Sequence, residues 1–292
     1  MPIETIELRN GPLRFTARSA GTGPLVLCLH GFPDNCRTFD ALLPALAEAG
    51  YRAVAPTMRG YEASAQPEDQ DYHAIRMAED VASWIEQLGG GLAHLIGHDW
   101  GATIALGAAL LAPERVASLT MMSVPHPAGF AEFYAIDPAQ QARSHYILEF
   151  QEPGAEDRLL TDDCEWLERL WRTWSPGWDI PADILKTVRE TFRQPGVAAA
   201  TLGWYRQAFD IVSDAGQATQ ALFARLVTVP TMGLVGEDDG CVGADIFVAS
   251  MREADFPAGL EVEVIGNAGH FLHLEARETV SARILHWLAS GR

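Results

Sequence analysis

The first twenty residues alternate apolar and polar positions. ETIELR (4–9) and LRFTAR (13–18) flank Asn10-Gly11, a pair suited to a tight hairpin turn. Beyond them the pattern changes. PLVLCLH (24–30), YRAVAP (51–56), LAHLIGH (92–98), VASLTMMSV (116–124), PTMGLVG (230–236) and LEVEVIG (260–266) are short, mostly apolar runs. Such runs suit strands buried on both faces of a sheet. Amphipathic stretches of helix length separate the early ones, among them Phe39–Ala49 and Ala74–Leu88. Strand and helix in alternation predict an α/β fold with a mostly parallel central sheet flanked by helices.

The rhythm stops between about Pro125 and Leu226, where helical periodicity and tryptophan take over. Trp166, Leu167, Leu170, Trp171 and Trp174 fall on one helical stripe, and Trp178 and Trp204 bring the segment's share to five of the chain's eight tryptophans. The stripe predicts an inserted helical cap over 128–225, packed onto a core built from 1–127 and 226–292. The inner face of a cap also roofs a pocket.

Composition narrows the partners. At 292 residues the chain is long enough for one large domain with an insertion. A net charge of -18 repels phosphate backbones, so nucleic acid is not expected. Cys28, Cys36, Cys164 and Cys241 are scattered and form no CxxC pair, which reads as free thiols in a reducing compartment. No cluster predicts a metal, and no GxGxxG or phosphate loop predicts a nucleotide or other cofactor. The start MPIETIELRN lacks the regions of a signal peptide, and the longest apolar helix pattern, Ala102 to Ala112, falls well short of the ~20 residues that cross a bilayer. The expectation is a soluble, cytoplasmic protein with no membrane partner; a homodimer is compatible with the sequence but nothing in it requires one.

The candidate chemistry starts at Ile96-Gly97-His98-Asp99-Trp100-Gly101. A buried strand ends there and an alanine-rich helix begins, so Asp99 occupies a sharp strand-to-helix turn with a glycine two residues to either side. Those glycines permit the close packing that a nucleophile elbow requires. An Asp before a helix is also a common N-cap; the flanking strand and helix favour the nucleophile. Two later strand ends carry the acids Glu237, Asp238 and Asp239 and the run Asn267-Ala268-Gly269-His270. Functional groups gather at the carboxyl ends of strands in open α/β sheets, here in the order nucleophile, acid, histidine.

With these residues the chain resembles the α/β-hydrolase fold family, and more narrowly its epoxide hydrolase branch. The resemblance spans LCLHGFPD (27–34), APTMRGYEAS (55–64), GHDWGA (97–102), SVPHP (123–127), EFQEPGAE (149–156) after Tyr146, GWYRQ (203–207), GEDDG (236–240) and AGHFLHLE (268–275). It implies ring-opening tyrosines at Tyr146 and Tyr205, an orienting acid at Asp239 rather than Asp238, an oxyanion hole from the backbone N–H groups of Phe32 and Trp100, and a cis Phe32-Pro33 bond. The chain departs from the family at Thr57, usually an acid, and at Glu62, usually a glycine.

The residue types agree with that chemistry. With a reference pKa of about 3.9, Asp99 is ionised at neutral pH without a base. A carboxylate attacking saturated carbon forms an ester that water cleaves, whereas a serine would leave an inert ether. The expected substrate is therefore a small sp³ electrophile, and the expected reaction is epoxide plus water to a vicinal diol. His270, oriented by Asp239, would activate the water. Phenols at Tyr146 and Tyr205 suit an opening epoxide, whose oxygen needs a proton. A haloalkane or haloacetate dehalogenase is the alternative, and a non-catalytic binding protein a more distant one. A departing halide needs N–H donors, of which Trp100 offers one, and Trp100 stands where a haloacetate enzyme would place an arginine. His30, His98, His126 and His145 read as structural, the last as packing in the cap, as do His94 and His286.

Overall fold

The computed structural model describes residues 1–291. Strands β1 (Glu4–Asn10) and β2 (Leu13–Ala20) form the hairpin, followed by β3 (Leu25–Leu29), α1 (Leu42–Glu48), β4 (Arg52–Pro56), α2 (Ala74–Gln87), β5 (Ala93–His98), α3 (Trp100–Leu111) and β6 (Val116–Met122). Eight helices come next: α4 (Pro127–Ile136), α5 (Pro138–Arg143), α6 (His145–Glu149), α7 (Ala155–Leu160), α8 (Glu165–Trp174), α9 (Ala182–Phe192), α10 (Val197–Gln207) and α11 (Asp214–Phe223). The chain then closes with β7 (Thr231–Gly236), α12 (Ala244–Ser250), β8 (Leu260–Ile265), α13 (Leu272–Glu275) and α14 (Arg277–Ala289).

The eight strands make one sheet in the order β1-β2-β4-β3-β5-β6-β7-β8. β2 pairs antiparallel with β1 and with β4, and every pairing from β4 onward to β8 is parallel. Apolar side chains leave the sheet on both faces, because the central strands are short runs of consecutive apolar residues. One face meets Met77, Val81 and Trp84 of α2 and Ile104 and Leu106 of α3. The other meets Leu42, Leu43 and Leu46 of α1 and Ile284 and Trp287 of α14.

β8 departs from the expected burial. It is the edge strand, half-exposed along most of its length, and the Glu261 and Glu263 carboxylates both pair with Arg283 of α14. Its alternating glutamates are the reason: the charged positions need water or a cation, which a two-faced interior strand cannot supply. Elsewhere the departures in the sequence have local uses. Glu62 accepts hydrogen bonds from the backbone N–H and the hydroxyl of Thr16 on β2, and the Thr57 hydroxyl lies 3.5 Å from the Cys36 sulfur.

The helices between β6 and β7 are joined to the strand-end loops. Leu167, Leu170, Trp171 and Trp174 of α8 are buried, and the Trp171 ring stacks on Phe271 with centroids 3.5 Å apart. The Trp171 and Trp204 indoles donate to the carbonyls of Pro33 and Arg59. His145 is not packing: its side chain is exposed, 3.8 Å from Glu149, because α6 turns the neighbouring Tyr146 inward instead. Among the described residues no helix is long and apolar enough to cross a membrane.

Candidate active site

Asp99 stands between β5 and α3 with φ 55° and ψ -125°, in the positive-φ region that side chains rarely occupy. Its neighbours explain how the turn is held. A Cβ on Gly97 would run into the Gly101 carbonyl, and one on Gly101 into the Leu29 carbonyl, so both positions admit only glycine at this spacing. Asp99 makes no side-chain capping bond to α3. Its carboxylate points away from the helix, where the backbone N–H of Phe32 donates to Oδ1 at 2.8 Å. Trp100 is the first residue of α3, so its N–H is one of the first-turn donors that a helix leaves without an internal partner. The Phe32-Pro33 peptide is cis.

Two further strand ends bring their residues to Asp99. His270, after β8, places Nε2 3.5 Å from Asp99 Oδ2 and Nδ1 3.0 Å from Asp239 Oδ2. Asp239, after β7, is buried, and its Oδ1 also accepts the N–H groups of Cys241 and Val242 at 2.8 and 3.0 Å. Asp238, beside it, is exposed and takes no part. Burial works against a charged His270, but the carboxylates of Asp239 and Asp99 outweigh it and raise the imidazole to about 10.

The inserted helices supply the opposite wall. Tyr146 on α6 and Tyr205 on α10 meet edge to face with centroids 5.8 Å apart. Both line the same cavity as Asp99, whose volume is about 500 Å³ and whose other walls include Trp100, Val124, Phe130, Trp204 and Phe223. Burial pushes both phenols well above the ordinary tyrosine value, and the charge of Asp99 acts in the same direction. They therefore hold their protons. Among the described residues no partner meets the Tyr205 hydroxyl with full hydrogen-bond geometry, although Trp100 lies beside it, while the Tyr146 hydroxyl lies 3.6 Å from the Cys241 sulfur. Asp99, Trp100, Tyr146 and Tyr205 thus line one apolar cavity, while Phe32 and His270 reach Asp99 and Asp239 reaches His270.

Several contributors carry no signal in the sequence. The Trp174 carbonyl, at the end of α8, accepts from the N–H groups of both Gly240 and His270. The Ser175 hydroxyl donates to Glu275 at 2.6 Å and accepts from Phe271 N at 3.2 Å. Cys241, buried beside Tyr146, lies two residues past Asp239; its proximity to the acid is the one clue the chain offers. Asp99, Cys241 and His270 can each bring a ligand atom within 4.8 Å of the others, and so can Asp34, His98 and His273. The first group is the site just described; neither is visible as a spaced motif.

The chain is similar to known proteins along nearly its whole length. Residues 24–277 match the family described as alpha/beta hydrolase fold. A Mycobacterium tuberculosis protein named epoxide hydrolase A is 31% identical over 98% of this chain and 97% of its own length. Human epoxide hydrolase 4 is 29% identical over 97% of this chain and 78% of its own. The crystal structure of an epoxide hydrolase from Vigna radiata superposes with a TM-score of 0.81 at 26% identity, covering 99% of this chain and 98% of that one. The chain belongs to the α/β-hydrolase fold family, in the branch whose members carry the name epoxide hydrolase.

Proposed function

We propose that this protein hydrolyses epoxides to vicinal diols through an ester on Asp99. The observation that carries the reading is the placement of two protonated phenols, Tyr146 and Tyr205, and one carboxylate, Asp99, on a single apolar cavity. Phe32 N–H holds Asp99 Oδ1, which leaves Oδ2 to attack an epoxide carbon. As the C–O bond of the ring breaks, its electron pair passes to the ring oxygen, which takes a phenolic proton. An alkyl ester and a tyrosinate result. Ester formation removes the charge of Asp99, one of the two carboxylates that hold the His270 proton in the resting state, and His270 gives that proton to the tyrosinate. Water then attacks the ester carbonyl carbon and gives a proton to the freed His270 Nε2. The N–H groups of Phe32 and Trp100 stabilise the tetrahedral oxyanion. Collapse passes the remaining hydroxyl proton to the leaving alkoxide, which releases the diol and restores the Asp99 carboxylate beside a protonated His270.

In this reading residues 128–225 are the cap and residues 1–127 and 226–292 the core, since the inserted helices supply the proton donors and the strand ends supply the other groups. Halide release is served less well. The indole N–H groups of Trp171 and Trp204 are given to backbone carbonyls. The substrate class is tested by presenting aryl and aliphatic epoxides beside haloalkanes and haloacetates. Diol formation without halide release is the expected result; halide release without diol would replace this reading with dehalogenation.

A further inference from the structure

Gln140, on α5, is a fully buried polar side chain that the hydrolytic steps do not use. Its Nε2 donates to the Cys241 carbonyl at 2.8 Å and to the Ser144 hydroxyl at 3.0 Å. Its Oε1 accepts the Gly243 N–H at 3.1 Å. The amide has no choice of orientation, because a carbonyl only accepts and a backbone N–H only donates. One side chain therefore grips the segment just after Asp239 at both its carbonyl and its N–H, and holds the residue that precedes α6 with its remaining hydrogen.

Both gripped places lead to Tyr146. Ser144, the N-cap of α6, stands just ahead of the tyrosine and is buried on the wall of the same cavity. Cys241 approaches from the other side, its sulfur 3.6 Å from the phenolic oxygen, and its own N–H is held by Asp239 Oδ1 at 2.8 Å. Asp239, Cys241, Gln140, Ser144 and Tyr146 thus form one closed frame. The Tyr146 ring also packs edge-on or tilted against Phe150 and Trp174, at centroid distances of 5.5 and 5.0 Å. Such contacts tolerate sliding, whereas hydrogen bonds to a fixed amide are strict in length and direction. The arrangement recurs beside Tyr205. Gln207, on the same helix, accepts the Tyr72 N–H at 2.6 Å and donates to the Gln70 carbonyl at 2.7 Å. Each glutamine spans a carbonyl and the N–H two residues later on a loop outside the inserted helices.

We infer that Gln140 is a positioning residue for ring opening, a role that rests on the reading of Tyr146 as proton donor: it sets where the Tyr146 hydroxyl stands in the cavity by locking α6 to the loop after β7. Without its amide, the Cys241 carbonyl and the Gly243 N–H are left buried and unpaired, so the loop shifts or admits water, and Ser144 loses its tie to that loop. Misplacing a reacting group by about 1 Å costs on the order of 10²-fold in rate. The loss falls on transfer of the phenolic proton. A change of Gln140 can also disturb Asp239, so its effect on Tyr146 is read where His270 takes no part.

The test is the rate of adduct formation after mixing with styrene oxide or octene oxide, followed by intact mass in the His270→Gln protein so that only ring opening is seen. Added to that protein, Gln140→Met with native circular dichroism should slow the adduct by roughly 10-fold or more. With Tyr146→Phe also present, the same change should alter the rate by no more than about 2-fold, since no phenol is left to misplace; with Tyr205→Phe it should keep its full effect. An unchanged rate in Gln140→Met overturns the inference. So does an equal slowing with and without the Tyr146 hydroxyl, which is what a glutamine serving only the fold would give. Adduct formation that Tyr146→Phe leaves unchanged, or no adduct with either epoxide on any of these proteins, overturns the functional reading itself and the role of Gln140 with it. Should Gln140→Met fail to fold, Ser144→Ala cuts the bond to α6 alone. It should slow the adduct only where the Tyr146 hydroxyl is present, and no slowing, or slowing without that hydroxyl, overturns the inference.

Discussion

Asp239 holds His270 from behind, Oδ2 to Nδ1 at 3.0 Å, while the opposite ring nitrogen faces Asp99 Oδ2 at 3.5 Å. The imidazole is thus fixed between two carboxylates that differ in their bonding. Asp239 is tied down by two backbone N–H groups, Asp99 by one. The more tightly bound carboxylate suits orientation, and the less bound one suits attack.

Asp99→Ala should abolish diol formation, because no ester can form. His270→Gln should pass the first step and stop. Intact-mass measurement after epoxide addition should then show a covalent adduct equal to the substrate mass on the His270→Gln protein and none on the Asp99→Ala protein. A His270→Gln protein that turns over without an adduct would contradict the assigned roles.

Asp239→Asn removes the charge behind His270 but keeps its shape. Loss of positioned base catalysis is worth roughly 10²–10⁴-fold in rate. The loss should fall on ester hydrolysis and not on ester formation, so single-turnover adduct formation should stay near the wild-type rate while steady-state turnover drops.

Tyr146→Phe and Tyr205→Phe should each slow ring opening by roughly 10²-fold, and the double variant should nearly eliminate it. Burial holds both phenols well above the ordinary tyrosine value, so they remain donors as pH rises. The rate of adduct formation in the His270→Gln protein should therefore stay flat from about pH 7 to about pH 9. A fall across that interval would show that a phenol loses its proton earlier than its burial allows.

Gly101→Ala should destabilise the fold by about 2 kcal/mol or more, since its Cβ meets backbone at the Leu29 carbonyl instead of a movable side chain. Denaturant unfolding checks this, and a stability within 0.5 kcal/mol or so of wild type would show that the elbow relaxes more readily than its packing implies.

An acid-side effect is expected at a separate place. His73 bonds to Asp71 at 2.6 Å and to Asp210 at 3.1 Å, joining the start of α2 to the segment before α11. Burial works against the Asp71 carboxylate, but His73 and Arg76 hold it below the usual range. A carboxyl lowered in the folded state contributes stability that is present above its unfolded pKa and is lost as pH falls through the folded one. The unfolding midpoint should thus drop on acidification below about pH 4, and Asp71→Asn should flatten that limb while lowering the midpoint at pH 7.

Some of this was legible along the chain. The six apolar runs are all strands, and Asn10-Gly11 turns the hairpin. Both follow from local periodicity and turn chemistry, which need only neighbours in sequence. The exposure of β8 leaves no local signal, because its glutamates pair with Arg283, twenty residues away, and no local pattern shows which strand lies at an edge. The exposure of His145 leaves none for a similar reason: one helical step decides whether it or Tyr146 turns inward.

By itself the sequence determined the sheet, the elbow at Asp99 with its glycines, and the residue types available for chemistry, because these depend on backbone sterics and on short-range spacing. Only the tertiary structure decided that α8 caps the His270 loop through the Trp174 carbonyl and that Cys241 stands beside Tyr146. It also brought Asp34, His98 and His273 to one point. These are meetings of residues dozens to hundreds of positions apart, and they arise when the packing of helices on the sheet brings separate strand ends together.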